Sequence, residues 1–358
     1  MFNWKNYIQK YSDLQHLTTE RAAVRHYQLH GKREGRTDQI DTIILTGEKI
    51  QLRCDYFIGT EQDVKYNPVI YSVIRNNDRW INIYNYNSYK FENVKINAKV
   101  FVYTYILEKH LDSLVDILKN FKEYTLYFHN SDGNFLRSHY EVLNVPECKK
   151  IYSQNNTVQE VITLPIGIAN AQWPHGNQQA VWEILNENIP KTKEIFFNFS
   201  MTIPLRERCK EELVPFLEWV PTTDYITYLR TLAQYKYCIC IEGNGLDTHR
   251  FWECLYLKVI PICVKNEWTN VTKDIFPMIL LESWVELRKY VKMPVSKKGK
   301  IKVVLPTELY NWNYSVPEID LFFQTLLCPI ANTCSNSILL SSTSSIANET
   351  SQCPKNTP

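Results

Sequence analysis

The sequence predicts an α/β protein built on parallel sheets, and three observations carry that prediction. Residues 237–242 form an apolar run of strand length, Gly243-Asn244-Gly245 follows as a tight turn, Asp247 opens a helical pattern, and residues 259–264 read as a second strand. Strand, turn, helix and strand make one βαβ unit, which demands a parallel pair joined by a right-handed crossover. Strand-like runs of β-branched and aromatic residues alternate with amphipathic patterns over residues 40–152, and again after residue 193. The third observation is size: 358 residues, 44% hydrophobic and 13% aromatic, give room for two ordinary domains with sizeable cores.

The glycine turn suggests the chemistry. Gly243 and Gly245 permit positive φ and let a ligand approach the backbone closely. Asp247 is read as the N-cap, so the helix begins at Thr248 or His249 and its first N–H groups face a phosphate or diphosphate over the turn. At about 100° per residue, His249, Arg250, Glu253 and Leu257 share one face, while Phe251, Trp252 and Leu255 face the core. A guanidinium pairs with a diphosphate in a forked geometry, and a carboxylate one turn away accepts from vicinal ribose hydroxyls. Arg250 and Glu253 also fit a plain surface pair worth a few tenths of a kcal/mol. The glycine turn before them and the apolar strand on each side favour the nucleotide reading.

At these residues the chain resembles a known family. The string EGNGLDTHRFWECLYLKVIPI at residues 242–262 is similar to the nucleotide-sugar-binding segment of exostosin-like glycosyltransferases, in the form carried by giant viruses and some microbes. FHNSDGNF at 128–135, LPIGIANAQWPHGN at 164–177 and PLRERC at 204–209 support the same resemblance, which covers roughly residues 50 to 315. It implies a GT-B fold, with two Rossmann-like domains facing across a cleft, and inverting transfer of a sugar to a hydroxyl of a glycan or glycoconjugate. The donor is then a UDP- or GDP-linked sugar, with no separate cofactor, and its expected contacts are Glu242, Gly243, Asn244, Gly245, Asp247, Thr248, His249, Arg250 and Glu253. Animal exostosins are usually membrane-anchored, and this chain departs from that.

In chain order, residues 1–36 read as a helical hairpin module. Trp4, Tyr7, Ile8, Tyr11 and Leu14 recur at helical spacing, Ala22, Ala23, His26 and Tyr27 do so again, and Gly31 stops the run. The segment resembles a short module appended to glycosyltransferases and other proteins, and a protein partner is one reading of it. Its histidines lack acidic or cysteine partners at metal spacing and read as packing residues.

Residues 40–165 read as the first, acceptor-side domain. Strands are expected at 42–45, 51–57, 69–74, 80–84, 99–105 and 124–128, with a helix at 108–121. Strand 124–128 ends in the polar loop His129-Asn130-Ser131-Asp132-Gly133, and open α/β sheets take ligands at such carboxyl ends. His129 or Asp132 is the candidate base for an acceptor hydroxyl, and a simple Asp-Gly turn accounts for the same residues. Between the domains, Trp173, His175 and Asn177 fit sugar or base contacts, and equally a rigid hinge. The second domain, 166–327, opens with a strand at 194–199. A helix from Pro204 follows, and its Arg206 reaches the diphosphate or caps a solvated helix start. Helices are expected at 225–235, 284–291 and 307–327, and a strand at 275–281. Residues 328–358 turn to Ser, Thr and Asn and read as a flexible tail.

Forty basic and 38 acidic residues give a net charge of +2 without a basic stripe, so nucleic acid is not an expected partner. No apolar run reaches the length of a membrane span, and no secretory leader is apparent, so a cytoplasmic location is expected. The ten cysteines are accordingly read as reduced. Cys238 and Cys240 share one strand face, but two-apart is not a zinc spacing, and no metal site is read. Nor does Asp-X-Asp occur anywhere, so the diphosphate's charge falls to Arg and backbone N–H groups. Two other classes fit parts of the pattern. One is a non-catalytic glycan- or nucleotide-binding protein of the same fold. The other is an NAD-dependent oxidoreductase, since residues 243–248 approach G-x-G-x-x-G with Glu267 as a ribose acid, although Thr248 stands where the third glycine belongs.

Overall fold

The computed structural model describes residues 44–292, except 66 and 75–77, together with Trp4, Tyr7, Leu14 and residues 16–31 and 302–303. At the amino end, α1 (Glu20–His26) is capped by the Thr19 hydroxyl, which accepts from the Ala22 N–H, and it widens into a π-helical turn at Tyr27–Gly31. Tyr7, Leu14 and Ala23 form a small core of their own, and the Tyr7 hydroxyl meets His26 Nδ1 at 3.0 Å. Most of the expected first helix of the hairpin lies outside the described residues, as do the expected helix at 307–327 and the tail.

Twelve elements build the first α/β unit in order: α2 (Gly47–Leu52), β1 (Tyr56–Gly59), α3 (Glu61–Lys65), α4 (Pro68–Ile74), β2 (Trp80–Asn82), β3 (Ala98–Tyr103), α5 (Ile106–Lys109), α6 (Leu111–Leu118), β4 (Tyr124–His129), α7 (Arg137–Leu143), β5 (Cys148–Ser153) and β6 (Ile162–Thr163). The six strands pair in parallel in the order β2-β1-β3-β4-β5-β6. Val100, Phe101 and Val102 are buried in succession because both faces of the sheet are covered, and a parallel sheet requires that. Two expected strands are corrected here. Residues 69–74 lie in α4, and the strand expected at 51–57 is α2 followed by a short turn into β1. Thr46 decides the second case: its hydroxyl accepts the Lys49 N–H and starts a helix in a run whose apolar residues fit either period.

Helix α8 (Gln178–Asn186) leads to the second sheet, which comprises β7 (Lys193–Phe196), α9 (Pro204–Leu213), α10 (Tyr225–Leu232), β8 (Tyr235–Ile239), α11 (His249–Tyr256), β9 (Ile260–Val264), α12 (Glu267–Thr272) and β10 (Ile279–Leu281). Its four strands are parallel, in the order β10-β9-β8-β7. The expected helix at 284–291 is a 3-10 turn, Trp284–Lys289, and β11 (Val291–Lys292) pairs antiparallel with β12 (Lys302–Val303). The molecule is thus a mixed α/β protein with two parallel, Rossmann-like sheets.

One large core cluster joins the first sheet to α11, and a second lies on the far side of the β7–β10 sheet. The buried apolar residues of helix α11 all belong to the first cluster. Every residue from Phe251 to Leu257 is buried, and the helix keeps two faces: His249, Arg250 and Glu253 line a cavity, while Phe251, Trp252 and Leu255 pack in the core, joined there by Leu257. Among the described residues, no helix is long and apolar enough to cross a membrane.

Candidate functional site

A cavity of about 1610 Å³ opens where the carboxyl ends of β7 and β8 meet the first turn of α11. Cofactor and substrate pockets commonly lie at such ends of parallel strands. Asn198, Phe199 and Arg206 line one side, residues 243–245 and 247–250 the floor, and Tyr225, Tyr228 and Glu253 the inner end. Asp132, Ile166, Pro174 and His175 complete it from the other side.

Two guanidiniums dominate the charge. Arg206 donates from Nε to the Glu242 carbonyl at 2.8 Å and from a terminal nitrogen to the Ser200 carbonyl at 2.9 Å. Burial lowers its pKa, and the nearby charge of Arg250 lowers it further. Arg250 leaves the first turn of α11 and lies over the Phe196 ring at 5.5 Å and the Tyr228 ring at 5.1 Å. Burial works against its charge, but Tyr228, Cys238 and Glu253 around it keep it protonated. One of its terminal nitrogens is buried with no hydrogen-bond partner. Two like charges lining one cavity, one of them holding an unmet donor, make a place for an anion.

Glu253 is not a surface residue. It is 4% exposed, and its two oxygens accept from the Tyr225 hydroxyl at 3.0 Å and the Tyr228 hydroxyl at 2.6 Å. The surface-pair alternative for Arg250 and Glu253 is thereby excluded. Both tyrosines come from α10, and sequence reasoning did not select them. The only available signal was their spacing, which puts them on one face of that helix.

The glycines act through space rather than through φ. Among the described glycines only Gly167, at φ +68°, is left-handed. A Cβ on Gly243 would stand 2.8 Å from an Arg206 terminal nitrogen, and one on Gly245 would stand 2.7 Å from Asn155 Nδ2. Gly243 therefore makes room for the guanidinium, and Gly245 for an asparagine of the first sheet.

Asp247 does not cap α11. Thr248 is the N-cap, and His249 is the first helical residue. The Asp247 carboxylate, 2% exposed, accepts from the Ile166 N–H at 2.7 Å and from the Trp252 indole N–H at 2.8 Å. Burial pushes its pKa up to about 7 against the pull of those donors. Asn155 Oδ1 accepts the Asp247 N–H at 2.8 Å, while its amide donates to the Asp132 carbonyl at 3.1 Å. Asn155 was likewise missed; its one signal was an Asn-Asn pair one residue beyond the strand at Cys148–Ser153.

The remaining candidates separate. His129 is 1% exposed, its ring nitrogens lie 2.9 Å from the Pro165 carbonyl and 2.9 Å from Asn130 Oδ1, and it does not line the cavity. Burial pushes its pKa down to about 4. Asp132 is exposed on the cavity wall, with the Asn244 amide 3.4 Å from its carboxylate. Thr248 and His249 line the cavity, and the His249 Nδ1 lies 2.7 Å from the Gly167 carbonyl, so the imidazole is fixed in orientation. His175 lines it too, 5.9 Å from the His249 ring, with the half-exposed Trp173 stacked behind it at 6.3 Å. Asn177 is engaged elsewhere, capping α8 through the Ala180 N–H at 3.0 Å. Glu242 faces a second cavity of about 310 Å³, where it accepts from Asn266 at 2.8 Å; Glu267 lines neither cavity. No protein-family model matches the chain, and no curated protein matches its sequence.

Proposed function

We propose that the protein is a glycosyltransferase that moves a sugar from a nucleotide-diphosphate sugar to a hydroxyl of a glycan or glycoconjugate. In this reading the two sheets belong to a GT-B architecture and the large cavity is its cleft. The observation that carries the proposal is the unmet terminal nitrogen of Arg250, buried at the cavity wall beside the charge of Arg206. As the sugar leaves, negative charge grows on the diphosphate, and two fixed guanidiniums stabilise that charge more in the transition state than in the ground state. The bulk of Gly243 is absent where that anion would lie against Arg206. Glu253, fixed by Tyr225 and Tyr228, faces the inner end of the cavity, where a ribose hydroxyl would add to its contacts.

Asp132 takes the role of base. It lines the same cavity as the guanidiniums and is exposed, whereas His129 lies outside the cavity lining with both ring nitrogens within hydrogen-bond distance of protein oxygens. A single base facing a leaving diphosphate across one cavity fits direct displacement with inversion.

The test is a thermal-shift screen against UDP, GDP, CMP and NAD(H), paired with donor-sugar hydrolysis, on wild type, Arg250→Gln and Asp132→Asn. The proposal expects one nucleoside diphosphate to raise Tm in the wild type and in Asp132→Asn, and not in Arg250→Gln. It also expects Asp132→Asn to lose transfer. A nucleotide shift without any turnover of donor would leave a binding protein of the same fold. A shift by NAD(H) alone, or equal shifts in Arg250→Gln, would overturn the reading.

A further inference from the structure

The pair Cys238 and Cys240 lacked a partner in the sequence; the fold supplies one. Cys238 lies in β8, Cys240 just beyond its end, and Cys254 in α11 turns inward against them, with its sulfur 3.7 Å from that of Cys240. All three side chains are buried, and their sulfurs lie within 4.8 Å of one another. Among the described residues this is the only group of three or more His, Cys, Asp or Glu side chains converging in that way, and the other four described cysteines stand outside it. We propose that Cys238, Cys240 and Cys254 form a binding site for a thiophilic divalent cation of the zinc class, pinning β8 to α11.

Geometry and charge both support the assignment. Thiolates about 2.3 Å from a tetrahedral zinc stand roughly 3.8 Å apart, close to the Cys240–Cys254 separation. Soft sulfur ligands select zinc and its heavier congeners over magnesium or calcium. Thiols must lose their protons to bind, and a neighbouring cation promotes that loss. Three thiolates around a divalent ion carry one net negative charge, and Arg250 balances it. The smaller cavity reaches Cys240 and provides a route for the ion. Three sulfurs are one short of a closed structural zinc set, so water or a small thiol takes the fourth position.

Binding is a simple exchange: the ion enters, three thiol protons leave to buffer, and no oxidant is needed. The staple joins the strand before the glycine turn to the helix after it, whatever the larger cavity takes.

The experiment uses the full chain, reduced and metal-free, with Cys328, Cys334 and Cys353 outside the described residues changed to Ser. Cadmium is the probe, because its thiolate charge-transfer absorption and its own NMR shift report sulfur ligation directly. One cadmium per chain is expected, with a sulfur-rich shift and a raised Tm. Cys254→Ala and Cys240→Ala are each expected to weaken binding about tenfold or more and to diminish the absorption. Absence of any charge-transfer band at equimolar cadmium would overturn the proposal, and so would a cadmium shift typical of oxygen ligands. The NMR measurement needs no variant, so a misfolded alanine mutant leaves the test standing. A band unchanged in both folded variants would overturn it equally.

Discussion

The Asp247 carboxylate accepts the Ile166 N–H at 2.7 Å, across 81 positions of chain. It also holds the Trp252 indole, so one buried acid fixes the start of α11 against the segment leaving the first sheet. Its ordinary pKa of 3.8 rises to about 7 because burial disfavours the charge. Between those values the folded chain keeps a proton that the unfolded chain has lost. Stability from this group is therefore fully present below the unfolded value and falls as pH rises toward 7. Relative to Asp247→Asn, the wild type should lose at most about 4 kcal/mol across that window. Urea midpoints of both proteins at acid and neutral pH check this, and a gap that stays constant with pH refutes it.

Tyr228 donates to Glu253 at 2.6 Å and also lies under the Arg250 guanidinium. Tyr228→Phe keeps the ring and removes the donor, leaving Glu253 with one tyrosine. Stability should fall by about 1–3 kcal/mol, the range for a hydrogen bond to a buried charge. Chemical denaturation measures it; a loss confined to surface-mutation size would mean that solvent replaces the hydroxyl without cost.

Arg250→Lys keeps the charge but loses the forked donors. If the larger cavity takes a nucleoside diphosphate, its Kd should rise about tenfold to a hundredfold, the equivalent of one or two charge-assisted hydrogen bonds. Calorimetric titration of the nucleotide found by the screen reads this directly. An unchanged Kd would mean that a point charge suffices there.

Gly167 has φ +68°, and a Cβ there would stand 2.3 Å from the Leu45 carbonyl oxygen. Gly167→Ala should cost at least about 2 kcal/mol from strain and the forced shift of backbone. The denaturation midpoint should drop with its slope unchanged. A neutral result would show that the segment at Leu45 yields easily.

The sequence by itself determined the βαβ unit around the glycine turn, the start of α11 to within one residue though with the wrong cap, and most strands of both sheets. These follow from period and punctuation within a single element, which depend only on neighbours in the chain. It also singled out Arg206, Arg250 and the two glycines, all of which line the larger cavity. Residues 51–55 and 69–74 are not strand, because short apolar runs satisfy both helical and extended periods; at the first, the Thr46 cap decides for helix before β1 begins at Tyr56. Only the tertiary structure decided partners. Glu253 finds its tyrosines 28 and 25 positions away, Asp247 finds Ile166, Gly245 finds Asn155, and Cys254 finds the strand thiols. Periodicity records which side of an element is buried. What it is buried against depends on how separate elements pack, and that information lies in no local stretch of the chain.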